Sequence, residues 1–379
     1  MKRIFIKLTC LFLLSMYLQA GAVAAVLPED RADALYHSYD GGDVEVTGPS
    51  ILVRKSFGQS VSMSANYYTD SVTSASIDVI ATGASEYTED RTQYSVSGDY
   101  LHGNVIMSAS YTNSDENDYE GNTASFSISQ DLFGDLTNVS IGYAVGWDTV
   151  MDNTDDTFSE DVDRQTFHVG LSQIITKDFI MGANLEVITD EGFLNNPYRS
   201  VRYLNTSGGY SYQKEIYPST RTSTAFSLTG KYYLPYRAAL GGSYRFFNDD
   251  WNITAHTFEV NYVHPWHDVI FEAKFRYYTQ SQADFYSDLF PFMDSQNFMG
   301  RDKELSDYTS STFGIGASYA FAENGFGFIE KGTINGAVDF VSFDYNNFRD
   351  ARVNVVTPGT EPLYSFNATV IRLFVSIWY

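Results

Sequence analysis

Apolar residues recur at every second position through most of this chain, and that period constrains its fold more than any other feature. Val61, Met63, Ala65 and Tyr67 alternate with Ser62, Ser64 and Asn66. Tyr94, Val96, Gly98 and Tyr100 alternate with Ser95, Ser97 and Asp99, and Val139, Ile141, Tyr143, Val145 and Trp147 continue the pattern. Later, Val269, Phe271, Ala273, Phe275 and Tyr277 oppose Glu272, Lys274 and Arg276, while Phe313, Ile315, Ala317, Tyr319 and Phe321 oppose Gly314, Gly316 and Ser318. A helix would repeat every 3.6 residues, so a period of two means β-strands with one apolar face. Many segments run about ten residues, the length of a tilted strand crossing a bilayer.

Two all-β architectures bury such faces. A soluble sandwich turns them toward each other and needs a charged, solvated exterior. Here the opposite faces are Ser, Gly, Asn and Thr, and only 19% of all residues are charged. Aromatics gather near segment ends, at Tyr67-Tyr68, Tyr232-Tyr233, Phe246-Phe247 and Tyr277-Tyr278, as interfacial girdles require. The pattern therefore predicts a transmembrane antiparallel up-and-down β-barrel.

The connections alternate in length. Tight ones are expected at Gly58-Gln59, His102-Gly103-Asn104, Gly134-Asp135, Lys177-Asp178, Pro235-Tyr236, Pro265-Trp266-His267 and Glu323-Asn324-Gly325. Longer ones are expected near 71–90, 113–122, 148–163, 190–220, 280–307 and 346–362, with a briefer one at 248–252. Short periplasmic turns and long extracellular loops describe a bacterial outer-membrane barrel. Since Val44–Phe57 ends at a short turn, an earlier strand must precede it, and Ala34–Asp40 before Gly41-Gly42 supplies one. The count closes at about sixteen strands, even as such barrels normally are.

The first residues are not part of that fold. Lys2, Arg3 and Lys7 precede an uncharged apolar run, Leu8 to Leu18, and Ala22-Val23-Ala24 follows as a cleavage pattern. We expect residues 1–24 to be a cleaved secretory signal peptide and 25–379 a single barrel domain in the Gram-negative outer membrane. Cys10, the only cysteine, lies within that signal, so the mature chain has no thiol for disulfides, catalysis or metal binding. Without the three leader cations the net charge moves from −23 to −26. No basic surplus exists to neutralise phosphates, so nucleic acid is not an expected partner. Any conductance should instead favour cations. The expected surroundings are outer-membrane lipid and lipopolysaccharide, with periplasmic or lipoprotein partners in an assembly.

The polar faces nominate lumen-lining residues: Asp99, His168, Asn184, Glu186, Lys231, Arg245, Glu259, Asn261, Glu272, Lys274, Arg276 and Arg372. Such a set either braces the wall by internal pairing or lines a polar conduit. In the longest loop, Asn196, Pro197, Tyr198, Arg199 and Arg202 form a candidate constriction, the two arginines reaching inward to acidic wall residues; binding of local carboxylates or lipopolysaccharide phosphates is the alternative. The acidic segment Asp148–Asp163 lacks EF-hand spacing, and His264-Pro265-Trp266-His267 has no third ligand nearby. No nucleophile elbow, zincin, P-loop or dinucleotide motif occurs, so neither catalysis nor a cofactor is expected. At the C-terminus Ile371, Leu373, Val375, Ile377 and Tyr379 alternate to a final aromatic. This resembles the terminal-strand signal read by the barrel assembly machinery.

The segments Leu27-Pro28-Glu29-Asp30-Arg31-Ala32-Asp33, Ser38-Tyr39-Asp40-Gly41-Gly42 and Gly48-Pro49-Ser50-Ile51-Leu52-Val53-Arg54-Lys55 carry a further likeness. With Ser76-Ile77-Asp78-Val79 and Asn196-Pro197-Tyr198-Arg199, the chain resembles the bacterial domain-of-unknown-function 3570 (DUF3570) family over nearly its whole mature length. The resemblance implies an outer-membrane protein without an assigned activity. It also implies association with a small lipoprotein, a thioredoxin-like protein and a flavin transferase, hence, by association only, a link to extracytoplasmic redox. No C-x-x-C-H haem-attachment motif is present. The expected role is a porin-like channel or the membrane-embedded part of an export or redox assembly; the alternative is a scaffold without conductance, and an enzyme is the least expected.

Overall fold

The structure is a computed structural model, described here for residues 25–73, 88–322 and 325–379. The proposed leader and Glu323-Asn324 lie outside the described residues, as does most of the 71–90 connection. Nine strands lead the chain: β1 (Arg31–Gly41), β2 (Val44–Phe57), β3 (Val61–Thr73), β4 (Thr88–His102), β5 (Val105–Asp115), β6 (Tyr119–Leu132), β7 (Thr137–Met151), β8 (Ser159–Thr176) and β9 (Phe179–Gly192). A small hairpin follows, β10 (Ser200–Leu204) and β11 (Tyr210–Lys214). Seven more strands complete the wall: β12 (Thr220–Tyr233), β13 (Ala239–Asp249), β14 (Thr254–Trp266), β15 (Val269–Gln280), β16 (Tyr308–Phe321), β17 (Lys331–Arg349) and β18 (Leu363–Trp378).

Every strand except β10 and β11 belongs to one closed antiparallel barrel of sixteen strands, each paired with its neighbours in sequence. The seam is β1 against β18, in register from Arg31↔Trp378 to Gly41↔Ala368. Closure leaves no unpaired edge, which is what lets strands cross a medium without water. The first strand begins three residues earlier than the alternation suggests. It turns into β2 through Gly42 (φ 63°) and Asp43 (φ 65°), the doubly left-handed two-residue hairpin that matches strand twist.

The apolar face of each strand points outward and is exposed. Val53, Phe275, Phe313 and Phe340 are 44%, 51%, 52% and 52% accessible, far too much for a water-soluble protein to leave in a continuous belt. Rings flank this belt. Tyr67 meets Tyr94 at 5.2 Å and Tyr111 meets Trp147 at 6.3 Å toward the loop end, while exposed Tyr100, Tyr232, Trp266 and Tyr319 lie toward the turn end. Apolar band, flanking rings and closed ladder together make this a transmembrane barrel.

Two boundaries differ from the sequence reading. The segments 113–122 and 148–163 are mostly strand: pairing continues to Asp115↔Glu120 and Met151↔Ser159. Apolar alternation stops where lipid stops. Backbone groups still need partners beyond it, so the ladder runs on as an acidic ribbon in water. The second difference is the 190–220 connection, which contains the β10–β11 hairpin.

Candidate functional site

The lumen wall is built from the polar face of each strand, and its two halves differ. From β3 to β6 it is a belt of hydroxyls in register, Ser64↔Ser97, Ser97↔Ser110 and Ser110↔Ser125. Ser64 and Ser97 lie 2.6 Å apart, and Ser110 and Ser125 2.7 Å. Hydroxyls both donate and accept, so neighbouring strands satisfy one another without a charge.

The charged candidates sit on that same inward face. Asp99 accepts Arg54 at 2.6 Å and Ser108 at 2.6 Å. Lys274 (2.9 Å) and Arg372 (2.7 Å) converge on one oxygen of Asp339. Arg245 stands 3.6 Å from Glu186, and Asn184 donates to Ser227. Lys231, Glu259, Glu272 and Arg276 form no ion pair among the described residues, although Glu259 and Arg276 are register partners. Bracing by internal pairs therefore describes Asp99, Lys274 and Arg372, whereas Lys231 and Arg276 keep free donors. Long inward side chains lie flat against the wall because glycines face them. A Cβ on Gly142 would stand 1.9 Å from the His168 ring, and one on Gly314 would meet both Asp339 and Lys274. Asn261 lies against Gly241 in the same way.

At the loop end three connections fold over the mouth and pack on each other. β10 bonds to the 281–307 loop through Leu204 N to Phe290 O and Phe290 N to Arg202 O, both 2.9 Å. Val201, Phe290 and Met299 are fully buried between them. Arg202, also fully buried, donates to Glu361 at 2.7 and 3.1 Å and to the backbone and carboxylate of Asp288. Arg301 donates to Asp288 at 3.0 Å and to Arg349 O at 2.9 Å, with Phe348 beneath its guanidinium at 4.5 Å. One buried knot thus ties the 193–219, 281–307 and 350–362 loops together.

The sequence-predicted constriction divides accordingly. Arg202 does not line an opening; it is sealed inside the cap, paired with loop carboxylates instead of wall ones. Arg199 pairs with Asp302 of the neighbouring loop. Tyr198 accepts the backbone N–H of Asn153 at 2.8 Å; burial first, and then Asp118 beside it, push its hydroxyl pKa up. Asn196, Tyr198 and Arg199 nevertheless face a cavity of about 770 Å³ beneath the cap, while Pro197 borders an adjoining cavity of about 380 Å³. The larger cavity reaches from Gly42 and Val72 on one side of the barrel to Arg221, Arg245 and Trp251 on the other, so the loops extend across the mouth. A second cavity of about 490 Å³ lies lower, against Ser140, Gly182, Lys231 and Asn261.

Sequence reasoning missed Asp288, Arg301, Glu361, Arg221 and Asp339. The first three lie in loops with no periodicity to read. The last two do sit at inward strand positions, which the alternation marks. Elsewhere, His264 only bonds Tyr262 (3.0 Å), and no group of three metal-ligating side chains occurs among the described residues. Asp152 and Asp155 hold turns through Thr154 and Thr157. The terminal Ile371, Leu373 and Val375 face lipid, and Tyr379 crosses the seam to donate to Arg54 O at 3.1 Å.

Fold and site define a loop-capped transmembrane β-barrel with a polar lumen. The chain belongs to the protein family of unknown function DUF3570, whose model matches residues 79–330. No curated protein matches it. Among solved structures it is similar to a bacterial polysaccharide outer membrane secretin (9% identity, 93% of this chain and 100% of that one, TM-score 0.49). It is also similar to OpdK of Pseudomonas aeruginosa with vanillate (10%, 94% and 100%, TM-score 0.44). A third is OmpT of Vibrio cholerae (9%, 94% and 100%, TM-score 0.43).

Proposed function

We propose that this protein is a channel of the bacterial outer membrane, reached through a cleaved leader, which passes small polar solutes from a loop-covered vestibule into a hydroxyl-lined lumen. One observation carries the reading: Asp99, Lys274, Asp339 and Arg372 are paired along the wall, Lys274 and Asp339 lying flat over Gly314, so these inward charges line the lumen instead of filling it. Sixteen strands enclose space wide enough for water where side chains do not fill it. The constriction lies at Arg199, Tyr198 and Asp302, held by the cap.

The acidic excess is concentrated on the projecting ribbons, at Asp115, Glu116, Asp118, Glu120, Asp152, Asp155, Glu160 and Asp161. These charges attract cations to the mouth over about a Debye length. Purified protein in planar bilayers should therefore give discrete conductance steps with a modest cation preference that shrinks between 0.1 and 1 M salt, quantities set by screening at ~10 and ~3 Å. Arg199→Ala should enlarge the step. Anion-selective steps would defeat the charge argument.

The buried cap favours a second reading. If the loops never leave the mouth, the barrel is a scaffold for periplasmic or lipoprotein partners in export or redox. It then stays silent in bilayers while folded and co-purifies with them. For an enzymatic role the sequence offers no motif and the described residues no convergent catalytic group.

A further inference from the structure

Resting on the channel reading, and naming what enters the vestibule, the geometry points to a binding site for a neutral, polyhydroxylated solute, a short oligosaccharide, in the 770 Å³ cavity under the cap. Its volume falls within the range of small-molecule pockets, roughly 300–1,000 Å³. One wall is aromatic. Tyr278, Tyr308, Phe343 and Phe366 face the cavity, and their rings run together: Tyr278–Tyr308 at 5.5 Å, Tyr308–Phe343 at 6.4 Å and Phe343–Phe366 at 4.6 Å. None of the four is fully buried, so ring surface remains available to a ligand, while the Tyr278 hydroxyl is held by Gln280 at 2.6 Å.

The facing wall is made of guanidinium–carboxylate pairs. Arg164 meets Asp190 at 2.6 Å, Arg221 meets Asp249 at 2.6 Å, and Arg245 stands 3.6 Å from Glu186. Each arginine has five N–H donors and each carboxylate about four acceptor sites. A pair spends one or two of each and presents the remainder in a fixed plane. Because Arg164, Arg199, Arg221 and Arg245 each stand beside a carboxylate, an ionic solute gains little net Coulomb energy from them on entry. A sugar gains more: its hydroxyls both donate and accept, so they match guanidinium and carboxylate together, and its C–H face covers the rings. Below the cavity the Ser64–Ser97 and Ser110–Ser125 belt and the amides of Asn184 and Asn261 continue neutral donors and acceptors along the lumen, beside Lys231 and Glu259.

The test uses maltotriose through maltohexaose, with polyethylene glycol of matched size and sodium gluconate as comparisons. In planar bilayers the oligosaccharides should interrupt the current with dwell times that lengthen with chain length, at concentrations where polyethylene glycol and gluconate do not. Calorimetry on the detergent-solubilised barrel should give saturable binding of the same sugars. Phe343→Ala and Arg245→Gln should each weaken both signals tenfold or more, with the heat-modifiable fold intact. Conductance that sugar and polyethylene glycol perturb equally, with no calorimetric binding, overturns the site and leaves the channel. Calorimetric binding that Phe343→Ala weakens, without any conductance, supports the site and removes the channel.

Discussion

Arg202→Ala is expected to release the cap while leaving the barrel closed. The guanidinium is fully buried and joins Asp288 and Glu361, so its removal leaves Glu361 without a cation where water is scarce, while Asp288 keeps Arg301. Breaking one partner out of a buried ion cluster costs about 3–5 kcal/mol, enough to shift the loops from almost always packed to mostly open. Limited proteolysis should then cut within 193–219 and 281–307 at least a hundredfold faster, with unchanged heat-shifted migration on gels. The conductance step should grow. Unchanged cleavage would mean that the apolar contacts of Val201, Phe290 and Met299 hold the loops without the knot. Acid should act in the same direction. Burial pushes the Glu361 carboxyl up, but Arg202 and the backbone N–H of Gly359 outweigh it and hold the pKa below the usual carboxylate value. A depressed pKa gives stability that is present above the unfolded value near 4.3 and lost as pH falls through the folded one. Cleavage of the wild-type loops should therefore rise only below about pH 4.

Phe275→Arg is expected to prevent stable insertion, whereas Ser243→Arg is tolerated. Phe275 stands mid-strand on the outward face of β15, between Val260 and Phe313 in register. An arginine on the lipid face near the midplane costs about 2–4 kcal/mol. Ser243 points into the lumen beside Glu259, where an arginine meets water and a carboxylate. Folding into vesicles, followed by urea titration and gel shift, compares the two. Equal penalties would mean that the barrel's faces are not lipid and lumen.

Much of the wall was legible in the sequence because lipid imposes a period of two on every crossing. Sixteen strands, most of their turns and the inward side of Glu272, Lys274 and Arg276 follow from that alternation; the turn expected at Glu323-Asn324-Gly325 instead belongs to a longer connection between Phe321 and Lys331. The cap was not legible. Arg202 meets Asp288 across 86 positions and Glu361 across 159, and loops carry no repeat that aligns such partners. An arginine in an acidic chain advertises a carboxylate, but not which one; hence Arg202 reads as a constriction residue and proves to be a tie between loops. Strand ends were also hidden. Beyond the bilayer the ladder persists for backbone reasons alone, with Asp and Glu on both faces.

The seam has a consequence for how the molecule is made. The ribbon that must lie beside residues 31–41 is residues 363–378, which follow every other strand of the wall in sequence, so no product that stops short of them can complete the ring. Until that final stretch arrives, β1 keeps a raw margin of amide groups that any other extended peptide could occupy. Closure of the ring is therefore expected to end with the pairing of β1 and β18.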